Sequence, residues 1–314
     1  MAANVETMMY VREKPWHGLG TMVQEAPTSQ DAIKLAELNW TVVSNPIYDA
    51  SGNVISGYKA NTRDKDNSIL GIVSDRYKIV QNHEAFSFTD SLIEDSAMTY
   101  ECAGSLRGGK QIWLLGKMPE TKILNDSFEP YICFTNAHDG TGAIKVCMTP
   151  IRVVCQNTLN MALSGAKRMW STKHVGDLAG KLHEAKMTLG FANNYMNELA
   201  IQAEKFADTK ISDTELEFFL NDLFPIDYTK DSERKINNMN QMKDNFLSCY
   251  MMNDIADYRG TQYGVINAVA DMADHMAPAR MTDTYQENNW GRIIVGHPLL
   301  DAAIKYLTTI RVAA

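Results

Sequence analysis

Residues 149–165 read Thr-Pro-Ile-Arg-Val-Val-Cys-Gln-Asn-Thr-Leu-Asn-Met-Ala-Leu-Ser-Gly, and they carry the clearest helix signals in the sequence. Thr149 offers a capping hydroxyl, Pro150 suits the first helical position, and Gly165 suits the stop. Between them, apolar and polar side chains separate at helical spacing onto two faces. We therefore predict a helix with one buried face and one polar face, and Arg152 lies on the polar face.

Two β-hairpins are predicted directly before this helix. Short β-rich runs at 99–103 and 111–115 flank Gly108-Gly109, and glycine readily adopts the positive φ of a tight turn. A second pair of runs, 131–136 and 143–148, flanks the turn sequence Ala-His-Asp-Gly-Thr-Gly. The pattern predicts an antiparallel sheet that leads into one helix.

The segments before these hairpins predict alternating helices and strands. Helices are expected at 26–38, with Thr28 or Ser29 as the cap, and at 83–94, with Asn82 as the cap; strands are expected at 40–43, 54–58 and 70–73. The Pro- and Gly-rich segment around Trp16 and His17 fits either a strap packed on the core or a binding arm.

Beyond Trp170 the sequence becomes helical. Apolar residues recur at steps of three and four from Val175 to Phe206, which predicts one long helix that serves either a bundle within its own subunit or a subunit contact. Further helices are predicted after the capping box 212–215, at about 231–252, at 261–273 with Thr261 as cap, and from Pro298 to about 307.

These patterns together predict an α+β protein of two domains. Residues 1–170 would form a domain of antiparallel hairpins packed with helices, and residues 171–314 an α-helical domain that mediates oligomerisation. No run approaches transmembrane length and the N-terminus lacks the features of a secretory signal, so we expect a cytoplasmic protein without membrane contact. The five cysteines show no CxxC spacing, which favours buried reduced thiols.

Positive charge is concentrated in the middle of an acidic chain. The formal net charge is -8, yet residues 140–190 contain seven basic and two acidic side chains. Phosphate-neutralising charge, with an aromatic ring on which a base can stack, indicates a nucleic-acid groove, although a solvated cationic face explains the same residues. The candidate nucleic-acid-binding residues are Arg107, Lys110, Lys145, Arg152, Lys167, Arg168, Trp170 and Lys173.

Catalytic motifs are not found in the sequence. It contains no P-loop, dinucleotide fingerprint, HExxH, GxSxG or EF-hand loop, so we expect no enzyme activity, no cofactor and no resident metal. His138 with Asp139, and Asp271 with Asp274 and His275, are the side chains that could hold a divalent ion, but such groups are more often surface or capping residues.

Five motifs carry a resemblance to a known family: residues 15–20 (Pro-Trp-His-Gly-Leu-Gly), 74–86, 104–109, 152–159 and 267–275. They resemble a phage- and plasmid-borne family of unknown function found in laterally transferred DNA. That resemblance implies a mobile-element context and no particular activity. The order of hairpins followed by a basic helix is also similar, at the level of topology alone, to single-strand annealing proteins of the RecT, Redβ and Erf type.

Two classes of function fit these observations. The first is a non-catalytic protein that binds and anneals single-stranded DNA during recombination, for which we expect a homo-oligomer. The second is an interaction protein that blocks a host defence or regulator. A metal-dependent nuclease is a weaker third hypothesis.

Overall fold

The computed structural model describes residues 5–12, 20–96, 98–152, 157–158, 168–189, 192–276 and 296–309. Both strands and helices occur in these residues, and the C-terminal region is helical, so the α+β prediction is confirmed. The chain forms two compact units, the first from Met1–Pro119, Pro130–Met148 and Arg168–Ala192, and the second from Glu120–Glu129, Thr149–Lys167 and Asn193–Ala314. The domain division at residue 170 stays a prediction. Trp16 and His17 lie outside the described residues.

The strands of the described residues, in chain order, are β1 (Val5–Val11), β2 (Thr21–Val23), β3 (Val42–Tyr48), β4 (Val54–Arg63), β5 (Ile69–Ser74), β6 (Thr99–Leu106), β7 (Gln111–Lys117), β8 (Thr121–Ile123), β9 (Asp126–Ala137), β10 (Ile144–Arg152), β11 (Asn157–Thr158) and β12 (Met169–Thr172). The helices are α1 (Ser29–Leu35), α2 (Asn82–Ser96), α3 (Leu178–Leu189), α4 (Ala192–Asp208), α5 (Asp213–Leu223), α6 (Glu233–Tyr250), α7 (Gln262–His275) and α8 (Pro298–Thr309), with a 3-10 helix at Asn253–Tyr258.

The central sheet of the first unit has the strand order β10-β9-β7-β6-β1-β2, and β12 pairs with β10. The two predicted hairpins are confirmed, because β6 pairs with β7 and β9 lies next to β10. The first hairpin turns at Gly108 and Gly109, which have positive φ as their sequence predicts, and Arg107 before them also has positive φ.

The predicted helix at 149–165 is wrong in the residues that the structure describes. Strand β10 continues through Pro150 to Arg152, and Ile151 and Arg152 pair with Thr158 and Asn157 of β11. Residues 153–156 and 159–167 lie outside the described part of the chain. Pairing of the end of β10 with β11, a few residues further along the chain, here overrides the local capping signals on which the prediction relied.

A second, three-stranded antiparallel sheet of order β3-β4-β5 belongs to the first unit and confirms the strands predicted near 42, 54 and 70. Helix α1 is capped by Thr28, whose hydroxyl accepts a hydrogen bond from the Asp31 backbone N–H at 3.3 Å. Asn82 was expected to cap α2, but its side chain is used in tertiary hydrogen bonds that are described below.

The second unit has helix α7 at its centre. Residues 262–272 of α7 are all buried, and the helix packs against α6 and α8. The predicted capping box at 212–215 is confirmed at the start of α5, and Thr261 caps α7 as expected.

The long helix predicted from Val175 to Phe206 is represented by α3 and α4, and residues 190–191 between them lie outside the described residues. The α4 part of its apolar seam is buried within the chain itself, at Met196, Leu199, Ala203 and Phe206. This burial fits the interpretation that α4 is a bundle helix of its own subunit.

Close packing of the central sheet leads to a prediction about Gly104 of β6. A β-carbon at this position would lie 2.5 Å from the carbonyl oxygen of Thr7 and would also meet the ring of Trp113. We expect Gly104→Ala to lower the free energy of unfolding by about 1–3 kcal/mol, because neither the strand backbone nor the buried indole can yield without strain. Urea denaturation followed by circular dichroism measures this loss, with Ser171→Ala on the exposed side of β12 as the control. Equal stability of both variants would contradict the packing.

Candidate nucleic-acid interface

The β6–β7 turn and the turn that follows β9 lie side by side at one end of the central sheet. The backbone N–H of His138, directly after β9, donates to the carbonyl oxygen of Lys110 in the β6–β7 turn at 2.7 Å. In this turn Lys110 is exposed, whereas Arg107 is half-buried and donates to the side chain of Gln111 at 3.0 Å. The hairpin tip that was predicted as basic therefore lies beside the turn that leads into β10.

Strands β10 and β12 add two lysines at this same end. Lys145, the second residue of β10, lies opposite Ser171 of β12, and Lys173 directly follows β12. Because side chains alternate between the two faces of a strand, Lys145, Ser171 and Lys173 share one face. Lys173 is exposed and Lys145 is half-buried. Lys110, Lys145 and Lys173 all lie at this end of the sheet, and the register places Lys145 and Lys173 on one face; we call these three residues the lysine cluster.

Trp170 does not lie on the face that carries Lys145 and Lys173. It pairs with Val146 of β10, so both side chains point to the opposite face of the sheet. Only 8% of Trp170 is exposed, and Val146 is fully buried. Its ring is thus part of the packed side of the sheet, and the described residues do not present it beside these two lysines as a surface for base stacking.

The remaining basic candidates lie elsewhere. Arg168 donates through its guanidinium to the carbonyl oxygen of Met148 at 2.8 Å, four residues along β10 from Ile144. Arg152 is eight residues along from Ile144, about 26 Å for an extended strand, and its side chain lies outside the described part. Lys167 also lies outside the described residues. Among the described residues, the part of the expected nucleic-acid groove that lies together is therefore the lysine cluster at one end of the central sheet.

The backbone and the ring of His138 link the turn after β9 to three other segments of the first unit. Besides the bond to Lys110, its carbonyl oxygen accepts from the Asn61 side chain of β4 at 2.8 Å, and its Nε2 lies 3.0 Å from Oδ1 of Asn82 in α2. The Asn82 amide donates to the carbonyl oxygen of Leu38 at 2.9 Å, so its oxygen must accept. The Nε2 atom of His138 therefore carries a proton in this hydrogen bond.

Burial keeps the ring of His138 neutral. His138 is fully buried, and its Nδ1 has no hydrogen-bond partner in the described part of the chain. Loss of hydration, with a smaller contribution from His174, lowers the pKa of His138 to about 3. A proton on Nδ1 would place a charged donor where no acceptor is available. A sequence prediction that treats a histidine in a Gly-rich turn as a surface group is wrong here.

His174 is the second buried histidine of this region. Its ring stacks on Tyr77, with ring centroids 4.5 Å apart, and its Nδ1 donates to the carbonyl oxygen of Lys78 at 2.9 Å. Burial lowers the pKa of His174 as well. The Tyr77 hydroxyl in turn donates to the carbonyl oxygen of Ala137, next to His138. Sequence spacing offered no partner for His174, because the contact joins residues almost a hundred positions apart.

The metal and thiol candidates show no reactive arrangement among the described residues. No group of three or more His, Cys, Asp or Glu side chains that could hold a metal ion occurs there. His275 lies 3.8 Å from Asp271, one helical turn away on α7. Cys102, Cys133, Cys147 and Cys249 are reduced, and burial raises the pKa of Cys102 to about 12, which disfavours a nucleophilic thiolate.

Comparison with known proteins gives one match. Residues 69–292 match the model of a family described as Domain of unknown function (DUF932), which covers most of the chain. No curated protein and no solved structure is significantly similar to the sequence. Among the helices of the described residues, none has both the length and the apolar character needed to cross a membrane.

The buried histidines lead to a prediction about acid stability. An unfolded histidine binds a proton below pH 6.5, whereas folded His138 binds one only near pH 3. The unfolded state therefore binds more protons in this window, and the free energy of unfolding falls as the pH falls below 6.5, by at most about 1.4 kcal/mol per pH unit for one residue. We expect His138→Gln, which keeps a donor toward Asn82, to make this fall shallower.

The measurement is the free energy of unfolding in urea at pH 7.5, 6.0 and 5.0. The matched control is His83→Gln, since His83 is exposed on α2 and should leave the pH dependence unchanged. A His138→Gln variant as acid-sensitive as the wild type would show that the His138 ring is not held neutral in the folded protein.

Proposed function

We propose that this chain, which belongs to the DUF932 family of unknown function, is a non-catalytic protein that binds and anneals single-stranded DNA. We propose that a phage or related mobile element encodes it and that it acts in recombination in the cytoplasm of the host cell. The observation that carries this proposal is the lysine cluster, Lys110, Lys145 and Lys173, at one end of the central sheet.

These lysines are available to bind phosphates. None of the three forms an ion pair within the residues that the structure describes, whereas Lys65, Lys230 and Lys235 each pair with a carboxylate there. Lysines without a carboxylate partner are significant in this protein because the chain as a whole is acidic, with a formal net charge of -8. A local cationic surface on an acidic protein attracts polyanions to one place and repels them elsewhere.

Annealing requires little beyond such a surface. A protein that holds the phosphates of a single strand leaves the base edges free to pair with a complementary strand, and it needs no catalytic group. Phosphate contacts carry no sequence information, so binding of this kind accepts any sequence. The buried position of Trp170 supports binding through charge in preference to binding through base stacking on that ring.

Removing charge from the lysine cluster should weaken binding and reduce its dependence on salt. Each phosphate contact on a single strand contributes about 0.7 to the slope of log K against log salt concentration. We expect Lys145→Ala with Lys173→Ala to lower that slope by about 1.4 and to slow the annealing of complementary labelled oligonucleotides. Fluorescence anisotropy with a labelled single strand at several salt concentrations measures the first effect, and energy transfer between the strands measures the second.

The matched control removes two exposed lysines of the second unit, Lys122→Ala with Lys305→Ala, and should leave both quantities unchanged. Equal loss in both double variants would indicate a general effect of net charge. Wild-type binding that does not weaken with salt would reject the proposal.

A further inference from the structure

The three-stranded sheet has an outer face that is defined by its register. Val43 of β3 pairs with Thr62 of β4, which pairs with Ile69 of β5, and Ala60 pairs with Ile72 in the adjacent row. Opposite residues of antiparallel strands share a face, so these side chains lie together. The complete outer face is formed by Val43, Asn45, Tyr58, Ala60, Thr62, Ile69, Ile72 and Ser74.

The inner face of the same sheet packs on the rest of the first unit. Val42, Asn61 and Val73 on this side are buried, and Asn61 donates to His138. Gly71 lies so close to the turn after β9 that a β-carbon there would come within 2.7 Å of the carbonyl oxygen of Asp139. The outer face is therefore the side directed away from the body of the first unit.

The large apolar side chains of the outer face are open to solvent, whereas the small Ala60 between them is buried. Ile69, Ile72 and Tyr58 are 63%, 61% and 55% exposed, and Val43 is 43% exposed. Single exposed apolar residues are ordinary on protein surfaces, but Tyr58, Ile69 and Ile72 are neighbours on β4 and β5, and Val43 lies beyond Thr62 on β3. Groups of this kind mark contact sites. The same sheet also exposes Tyr48, Val54 and Ile55 near the β3–β4 turn.

The chemistry of the outer face excludes a highly charged ligand. None of its eight residues carries a charge, although the whole chain has a net charge of -8. A phosphate backbone would find no cation here, so this face does not extend the lysine cluster. Valine, isoleucine and threonine in adjacent rows are typical of the inner face of two packed sheets. The partner that fits is thus another uncharged, β-branched sheet face.

We propose that the outer face binds the same outer face of a second copy of this chain, so that the two sheets pack face to face around a two-fold axis. Self-pairing buries no charge and avoids the repulsion that other surfaces of an acidic chain would meet. The four exposed apolar side chains of this face, Val43, Tyr58, Ile69 and Ile72, present on the order of a few hundred Å². A standard interface needs about 800 Å² per partner, so we expect a weak dimer that forms at high protein concentration.

The charges at the ends of the sheet are compatible with this pairing. Asp75 and Arg76, exposed beyond β5, carry both signs, and Lys65 in the β4–β5 turn is paired with Glu37 at 3.3 Å. The rim therefore presents no surface of a single sign to a second copy. This inference concerns assembly and does not depend on the proposed binding of DNA.

The test is the mass of the pure full-length protein in solution. Sedimentation velocity over about 1–100 μM should show a concentration-dependent dimer for the wild type. Ile72→Lys, which places a charge in the middle of the outer face of both copies, should weaken dimerisation at least a hundredfold. Because Ile72 is exposed in the single chain, this variant should keep the wild-type circular dichroism spectrum and melting temperature at the concentrations where it is a monomer.

The matched control is Phe218→Lys, which changes a side chain of α5 in the second unit that is 62% exposed. It should dimerise like the wild type. A wild-type protein that remains a monomer at 100 μM would overturn the proposal and would favour a different protein as the partner of this face. Dimerisation that survives Ile72→Lys, or that is lost equally with Phe218→Lys, would also overturn it. Ile69→Lys provides a second variant of the same face, with the same expected loss.

Discussion

The arrangement of the first unit depends on the hydrogen bonds of one buried neutral histidine. The backbone of His138 binds Lys110 of one hairpin and Asn61 of the small sheet, and its ring binds Asn82 of α2. Because the site is closed to water, a misplaced segment would leave further buried polar groups unpaired, in addition to Nδ1 of His138, for which the described residues offer no partner. The network therefore specifies where the small sheet, the helix and the hairpin tip lie relative to one another.

This constraint also positions the surface features on which the two proposals rest. The bond from His138 to Lys110 holds the first hairpin tip beside the start of β10, where Lys145 lies. The bond from Asn61 to His138 holds the inner face of the small sheet on the same turn, so the opposite, uncharged face remains exposed. A cationic sheet end and an apolar sheet face thus belong to one unit and differ sharply in the partners that they favour.

The sequence predicted the fold well where local signals and tertiary contacts agree. The hairpin with Gly108-Gly109, the capping box at Ser212 and the cap at Thr261 are all confirmed. The helix expected at Pro150 is wrong because proline and the residues around it also fit a strand, and the pairing of β10 with β11 decides between the two. Periodicity alone could not reveal these partners.

The candidate site was harder to predict than the fold. Composition correctly identifies a basic stretch, but the face of a strand to which each side chain points depends on register, and a change of one position moves Trp170 from the surface to the packed side.

The outer face of the small sheet was missed for a related reason. Its strands alternate less clearly than half-buried strands usually do, since both faces carry β-branched residues, and only the fold shows which face is covered. An uncharged face that is exposed to water is a hazard for nonspecific association. A specific partner removes that hazard, and pairing of two such faces would leave both lysine clusters free, because each small sheet contacts its own body through the opposite side. Assembly and strand binding can therefore operate in one molecule without competing for the same surface.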